Sequence, residues 1–222
     1  MKTFEKKNLT TIVAVDTNLF FELVSKNENY VPSKKDKNGF YNTIRSMKRK
    51  CMNGSLKIVI LPQVWEEIKD NLDNREKEFL QKYCLMLEPK DPVAYAEKVA
   101  KLATTYVKTG AMTDENENGS ATSDAIIMAQ SSVAGLNLVT CNYKHFLYYF
   151  SNTKKKKQQI DRERADDIEE INSKFGLHFV MNNGEQFVPR PHSPAEYFEL
   201  YRGGNFYEQE SYADVEFTSK EI

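Results

Sequence analysis

Cysteine is scarce in this chain, long apolar runs are missing, no glycine-rich turn occurs and neither sign of charge prevails. Each absence removes a class of protein. Three cysteines in 222 residues, Cys51, Cys84 and Cys141, are too few and too scattered for a disulfide framework or a four-cysteine zinc site. No apolar stretch approaches the ~18–20 residues needed to span a bilayer, and the N-terminal MKTFEKKNLT has no signal-peptide core, since the first apolar stretch carries Asp16 and Asn18. Without a glycine-rich strand-to-helix turn, a phosphate-binding loop or dinucleotide fold is excluded. The 31 basic and 32 acidic side chains leave a formal charge of −1, so bulk charge does not advertise a nucleic-acid binder, although clustered charge still permits one. What is present is ample core material, 40% apolar residues against 28% charged. The expectation is a soluble, cytoplasmic protein of one principal domain, with no membrane partner.

Periodicity alternates between two types. Thr11–Val15 (TIVAV) and Lys57–Leu61 (KIVIL) are short β-branched runs of the kind buried on both faces of a sheet, and Leu136–Thr140 (LNLVT) is a third. Between them fall helical patterns. Phe40–Met52 is stopped by Asn53-Gly54, and a long pattern opens at Pro62 with Val64, Ile68 and Leu72 on one face. Another runs from Asp91-Pro92 to Gly110, and an apolar helix is capped by Thr122-Ser123 and closed by Gly135. Ser25–Asn38 and Thr113–Asn118 read as polar loops. Beyond Phe150 the composition turns highly charged, with Ile160, Ile168 and Ile171 as a thin stripe that predicts a solvent-exposed helical arm. Leu177–Met181 is a fourth strand candidate, Ser193-Pro194 starts a short helix, and the segment after Gly203 reads as a polar tail. Strands alternating with helices predict an α/β fold with a central parallel sheet covered on both faces.

In such sheets function gathers at the carboxyl ends of the strands. Asp16 follows the first strand, and Glu67 lies one turn into the helix after the second. Asp124 stands in the first turn of the apolar helix, and Asn142 lies just past the third strand. All four therefore converge on one rim. Three carboxylates held together repel, each pair by on the order of 3 kcal/mol at ~5 Å and an effective dielectric near 20. A divalent cation resolves the conflict, and hard oxygen ligands without thiolate or imidazole select Mg²⁺ or Mn²⁺ over zinc.

Val15-Asp16-Thr17-Asn18, Pro62-Gln63-Val64-Trp65-Glu66-Glu67-Ile68, Ser123-Asp124-Ala125-Ile126-Ile127-Met128-Ala129 and Leu138-Val139-Thr140-Cys141-Asn142-Tyr143-Lys144-His145-Phe146 together resemble the PIN-domain nucleases, whose best-known small members are the VapC-type toxins. The separation of 18 residues between Asp124 and Asn142 is similar to that family's. The resemblance covers roughly residues 11–150, with Leu177–Phe187 similar to the family's last strand. It implies a three-layer PIN-like domain over 1–190, carrying a charged helical insertion at about 150–176, followed by a short helix and polar tail over 191–222. It further implies that Asp16, Glu67, Asp124 and Asn142 ligate the metal, directly or through water, with Asn142 in the fourth acidic position. Thr17, Asn18 and Thr140 would support them. The implied chemistry is hydrolysis of an RNA phosphodiester, one ion lowering the pKa of the attacking water and a second stabilising the leaving oxygen. An amide at 142 removes one negative charge and with it part of the hold on a second ion. A small antitoxin covering the rim and a homodimer are partners implied by the resemblance alone.

Plainer readings stand beside these. Asp16 alone is an ordinary turn residue, Asp124 complements a helix dipole, and Glu66 competes with Glu67 but is read as solvated. Asp114, Glu115 and Glu117 make a solvated acidic loop. His145, His178 and His192 are scattered and assigned to packing or surface, Cys141 to a small buried apolar role, and Trp65 to core or interface. The runs Lys48-Arg49-Lys50 and Lys154–Lys157 are solvated faces or phosphate contacts, the latter run being the nucleic-acid candidate through Lys154, Lys155, Lys156 and Lys157. A phosphatase of the haloacid-dehalogenase type would need a second Asp where Asn18 stands. A non-catalytic RNA- or protein-binding module of the same architecture and a nuclease acting on DNA are the alternatives, because nothing in these residues reads a 2′-hydroxyl.

Overall fold

A computed structural model describes residues 11–25, 40–112, 122–153, 156–180, 186–202 and 215–219 of the chain. The chain forms strand β1 (Thr11–Val15), helices α1 (Thr17–Val24) and α2 (Phe40–Met52), strand β2 (Leu56–Ile60), helices α3 (Pro62–Ile68) and α4 (Asn74–Tyr83), and strand β3 (Cys84–Pro89). Helices α5 (Pro92–Lys108) and α6 (Ser123–Val133), strand β4 (Leu138–Val139) and a π-helical turn (Tyr143–Leu147) follow. The remainder comprises β5 (Tyr148–Thr153), β6 (Lys156–Glu163), α7 (Arg164–Lys174), β7 (Phe179–Val180), β8 (Gln186–Phe187), β9 (Pro191–His192), α8 (Pro194–Arg202) and β10 (Val215–Thr218).

The result is an α/β architecture around a six-stranded sheet ordered β10-β3-β2-β1-β4-β9, parallel throughout except for β10, which runs antiparallel along β3. Val13, Ala14 and Val15 of β1 and Ile58, Val59 and Ile60 of β2 are all buried, as unbroken apolar runs in a doubly covered sheet should be. Helix α2 packs against α1 and α8, and α5 packs against α6 and α7, an arrangement compatible with three layers. After β1 the chain builds outwards through β2 and β3, then returns to place β4 on the other flank of β1. That reversal sets the carboxyl ends of β1 and β4 side by side, at the usual ligand position in open α/β sheets.

Several expectations need correction. The Pro62 pattern breaks after Ile68, and Asp73 starts a separate helix, α4, with a capping box to Glu76. Among the described residues the charged arm is helical only over Arg164–Lys174, because Tyr148–Thr153 and Lys156–Glu163 pair as the antiparallel strands β5 and β6. Nor is α7 solvent-exposed: Ala165 and Ile168 are buried and Asn172 is wholly enclosed. The fourth strand candidate shrinks to β7 and leaves the main sheet to pair with β8, and β9 takes the place beside β4. The polar tail contributes β10, whose Val215 is buried against the sheet edge. The Ser25–Asn38 loop beyond Ser25, the acidic loop with Asp114, Glu115 and Glu117, and Lys154 and Lys155 lie outside the described residues, as do the side chains of Lys156 and Lys157. Among the described residues no helix is long and apolar enough to cross a membrane.

Candidate functional site

Asp16 terminates β1 and caps α1. Its backbone is extended, its Oδ1 accepts from the Leu19 amide at 3.0 Å, and its Oδ2 accepts from the Thr140 hydroxyl at 2.9 Å. A carboxylate at this cap satisfies an amide that the first helical turn leaves open. It is nonetheless only 2% exposed. Burial pushes its pKa up to about 6, the Leu19 and Thr140 hydrogen bonds pull the other way, and the like charge of Asp124 adds to the rise.

The remaining predicted residues are tied to it in a closed circuit. The Thr140 hydroxyl also accepts from the Asn142 amide at 2.9 Å, and the Asn142 Nδ2 donates to Asp124 Oδ2 at 3.3 Å. One residue before Asp124, the Ser123 hydroxyl meets Gln63 Nε2 at 3.5 Å, and that same nitrogen donates to Glu67 Oε1 at 3.3 Å. The other Glu67 oxygen accepts from the Thr17 hydroxyl, and Thr17 is bonded through the chain to Asp16. Hydrogen bonds and two peptide links thus close a ring through the end of β1, α3, the first turn of α6 and the segment beyond β4. Asp16, Glu67, Asp124, Asn142, Thr17 and Thr140 all belong to it. Asn18 does not; it is exposed on α1. Glu66 points away and pairs with Lys69, as its solvated reading expects.

Two participants were not anticipated. His145, read as a packing or surface residue, places Nδ1 2.5 Å from Asp124 Oδ2. Its signal in the sequence was faint: it stands three residues after Asn142, whose Oδ1 caps the π turn by accepting from the His145 amide at 3.4 Å. Single π turns recur at functional sites. The second is Gln63, anchored by its own amide to Gln130 Oε1 at 3.0 Å and thereby fixed between α3 and α6. Of the other residues singled out, His192 is buried in β9, where desolvation pushes its pKa down to about 3, assisted by the Arg190 charge. Cys141 is half-buried, and burial raises its thiol to about 12.

Among the described residues no three Asp, Glu, His or Cys side chains are drawn together as a closed cation cage. The carboxylates are instead spread around the rim and hydrogen-bonded to hydroxyls and amides. That donor set still suits a hydrated hard cation. Mg²⁺ keeps several of its waters and is usually held by one or two carboxylates, not by a dedicated protein cage. The oxygen-only chemistry of Asp16, Glu67 and Asp124, together with one carboxyl already pushed up by burial and a like charge, fits such an ion. No family model matches the chain, and neither does any curated protein or solved structure.

Proposed function

We propose that the chain is a PIN-like, Mg²⁺- or Mn²⁺-dependent endoribonuclease. The observation that carries this reading is the ring itself: three acidic side chains from separate elements are linked through hydroxyls and amides in one hydrogen-bonded circuit beside the carboxyl ends of β1 and β4, and the like charge of Asp124 acts on the deeply buried Asp16. A purely structural cluster has no use for that repulsion, whereas a cation site does.

In this reading Asp16, Glu67 and Asp124 hold the cation, in part through its waters, and Asn142 completes the rim. When bound, the cation activates a water for attack on phosphorus and steadies the departing oxygen. Thr140 and the Leu19 amide orient Asp16 from inside the fold, and Thr17 and Gln63 do the same for Glu67. Asp124 stands in the first turn of α6, where the positive end of the helix dipole attracts its negative charge. The lysine run at 154–157 supplies phosphate contacts in this proposal, and a small antitoxin over the rim and a homodimer extend it.

Manganese-dependent cleavage of a fluorescent single-stranded RNA tests the reading. The wild-type chain is expected to cut it and Asp16→Asn to leave it intact. Equal cleavage by the two proteins removes the mechanism, and cation binding with tight RNA association but no cleavage assigns the chain to the non-catalytic module.

A further inference from the structure

We infer that Asn142 and His145 form a two-donor clamp that positions the Asp124 carboxylate, so that both act on the cation site through Asp124. This inference rests on the cation-site reading above and deepens it by assigning a positioning pair.

An ionised carboxylate has only acceptors, so the His145 nitrogen 2.5 Å from Asp124 Oδ2 is the one carrying hydrogen. The Asn142 amide is oriented by the same reasoning. Its Oδ1 accepts from the His145 backbone amide at 3.4 Å, which leaves Nδ2 to donate to the same Asp124 oxygen at 3.3 Å. A carboxylate in this place on the turn would meet Asp124 with a second negative charge; the amide meets it with a donor. Position 142 is thus occupied by a residue type that joins the rim without repelling it.

Both donors come from one rigid unit. The Asn142 backbone is held by the Thr140 hydroxyl, which is itself bonded to Asp16, and Phe146 and Leu147 of the π turn are buried in the core. The Asp124 side chain, by contrast, projects from the first turn of α6 and is 27% exposed. Two donors from the turn beyond β4 converge on one oxygen of that carboxylate. Outer donors of this kind orient metal-ligating carboxylates, and their loss weakens metal binding by about 10–100-fold.

His145 separates positioning from folding. Its backbone amide, not its ring, makes the turn's capping bond to Asn142, so His145→Ala keeps the cap while removing the ring's hydrogen bond to Asp124. His145→Asn carries an amide nitrogen near the place of Nδ1 and keeps a donor. Calorimetric titration of Mn²⁺ into wild type and both variants, with melting curves of the metal-free proteins, tests the clamp. Expected are a loss of about 10–100-fold in Mn²⁺ affinity for His145→Ala, recovery to within a few-fold for His145→Asn, and matching metal-free melting temperatures. Wild-type affinity in His145→Ala overturns the clamp while leaving the cation site standing. Equal weakening in both variants, accompanied by lowered melting, reduces His145 to a structural residue and also overturns it. If wild type takes up no Mn²⁺, the cation-site reading fails and the clamp falls with it.

Discussion

Helix α6 carries a polar cluster at each end, and the two are built on opposite terms. At its C-terminal end Ser132, Tyr106 of α5 and Asn172 of α7 form a neutral network. The Tyr106 hydroxyl meets Ser132 Oγ at 3.1 Å and donates to Asn172 Oδ1 at 2.5 Å. Asn172 Nδ2 donates to Ser132 Oγ at 2.9 Å and to the Pro189 carbonyl at 2.8 Å. All three side chains are fully buried and mutually satisfied. At the N-terminal end Asp124 faces Asp16 across the ring, two acids acting on each other, with Asp16 buried and its pKa raised. A buried polar network that is neutral and complete locks helices together. One that concentrates like charges lowers stability and is retained where chemistry needs it. The first cluster explains how α7 docks against α5 and α6.

The largest way to sharpen the contrast is Asp16→Asn. Asparagine keeps the α1 cap and the approximate shape but removes the charge. Cation-dependent RNA cleavage is expected to fall about 10³-fold, equivalent to ~4 kcal/mol of transition-state stabilisation, and the metal-free protein at pH 8 is expected to melt no lower than wild type. A large drop in melting temperature alongside the activity would put both clusters in the same structural class. Asn172→Leu should do the reverse. It strips the Ser132 hydroxyl and the Pro189 carbonyl of a donor inside the core, for about 2–3 kcal/mol of lost stability by denaturant titration, with cleavage per folded molecule unchanged at low temperature.

Acidity separates two buried titratable groups of opposite slope. Asp16 has a folded pKa above its unfolded value of 3.8, so the folded state prefers its proton, and its contribution is lost as pH rises from about 4 to about 6. His192 has a folded pKa of about 3, below its unfolded 6.5, so its contribution is present above pH 6.5 and is lost as pH falls towards 3. The stability difference between Asp16→Asn and wild type, both without metal, is therefore expected to grow by about 2–3 kcal/mol between pH 4 and pH 7.5 in favour of the variant. A difference that stays flat across that range contradicts the raised Asp16 pKa. The smallest effect is expected from Gln63→Ala. Removing the 3.3 Å donor to Glu67 should reduce cleavage by a few-fold, about 1 kcal/mol of transition-state stabilisation, visible in initial rates.

How much of this was legible in the residues follows from the range of each interaction. The β1, β2, α2, α5 and α6 spans announce themselves, since buried runs of Ile and Val, a proline opening, an Asp or Thr cap and a closing glycine are local signals. Gly135 adopts φ +73° where α6 ends, as a C-terminal glycine should. β3 escaped notice because α4 passes into it at Tyr83–Cys84 with no glycine or proline between, and β9 because two residues carry no periodicity of their own. The β5–β6 region reads as a charged helix from composition, but antiparallel pairing between the two strands outweighs propensity there. At the site, residue types and order were readable in Asp16, Glu67, Asp124 and Asn142. Thr17 and Thr140 were also readable as supports, but not which acid each would bond, and Gln63 and His145 were not readable as participants: Thr140 reaches Asp16 across 124 residues and Gln63 reaches Gln130 across 67.

Which atoms carry acid, amide or hydroxyl, and which strand or helix end each one occupies, followed from the chain alone, because caps and burial periods act over a few residues. Which of those atoms meet did not. That Asn142 offers its nitrogen to Asp124, and that His145 joins it, depends on β4 returning to the far flank of β1. The return is decided by the packing of the whole sheet and its helices, and it brings a strand end and a helix start face to face though neither one's neighbours in sequence foretell the other.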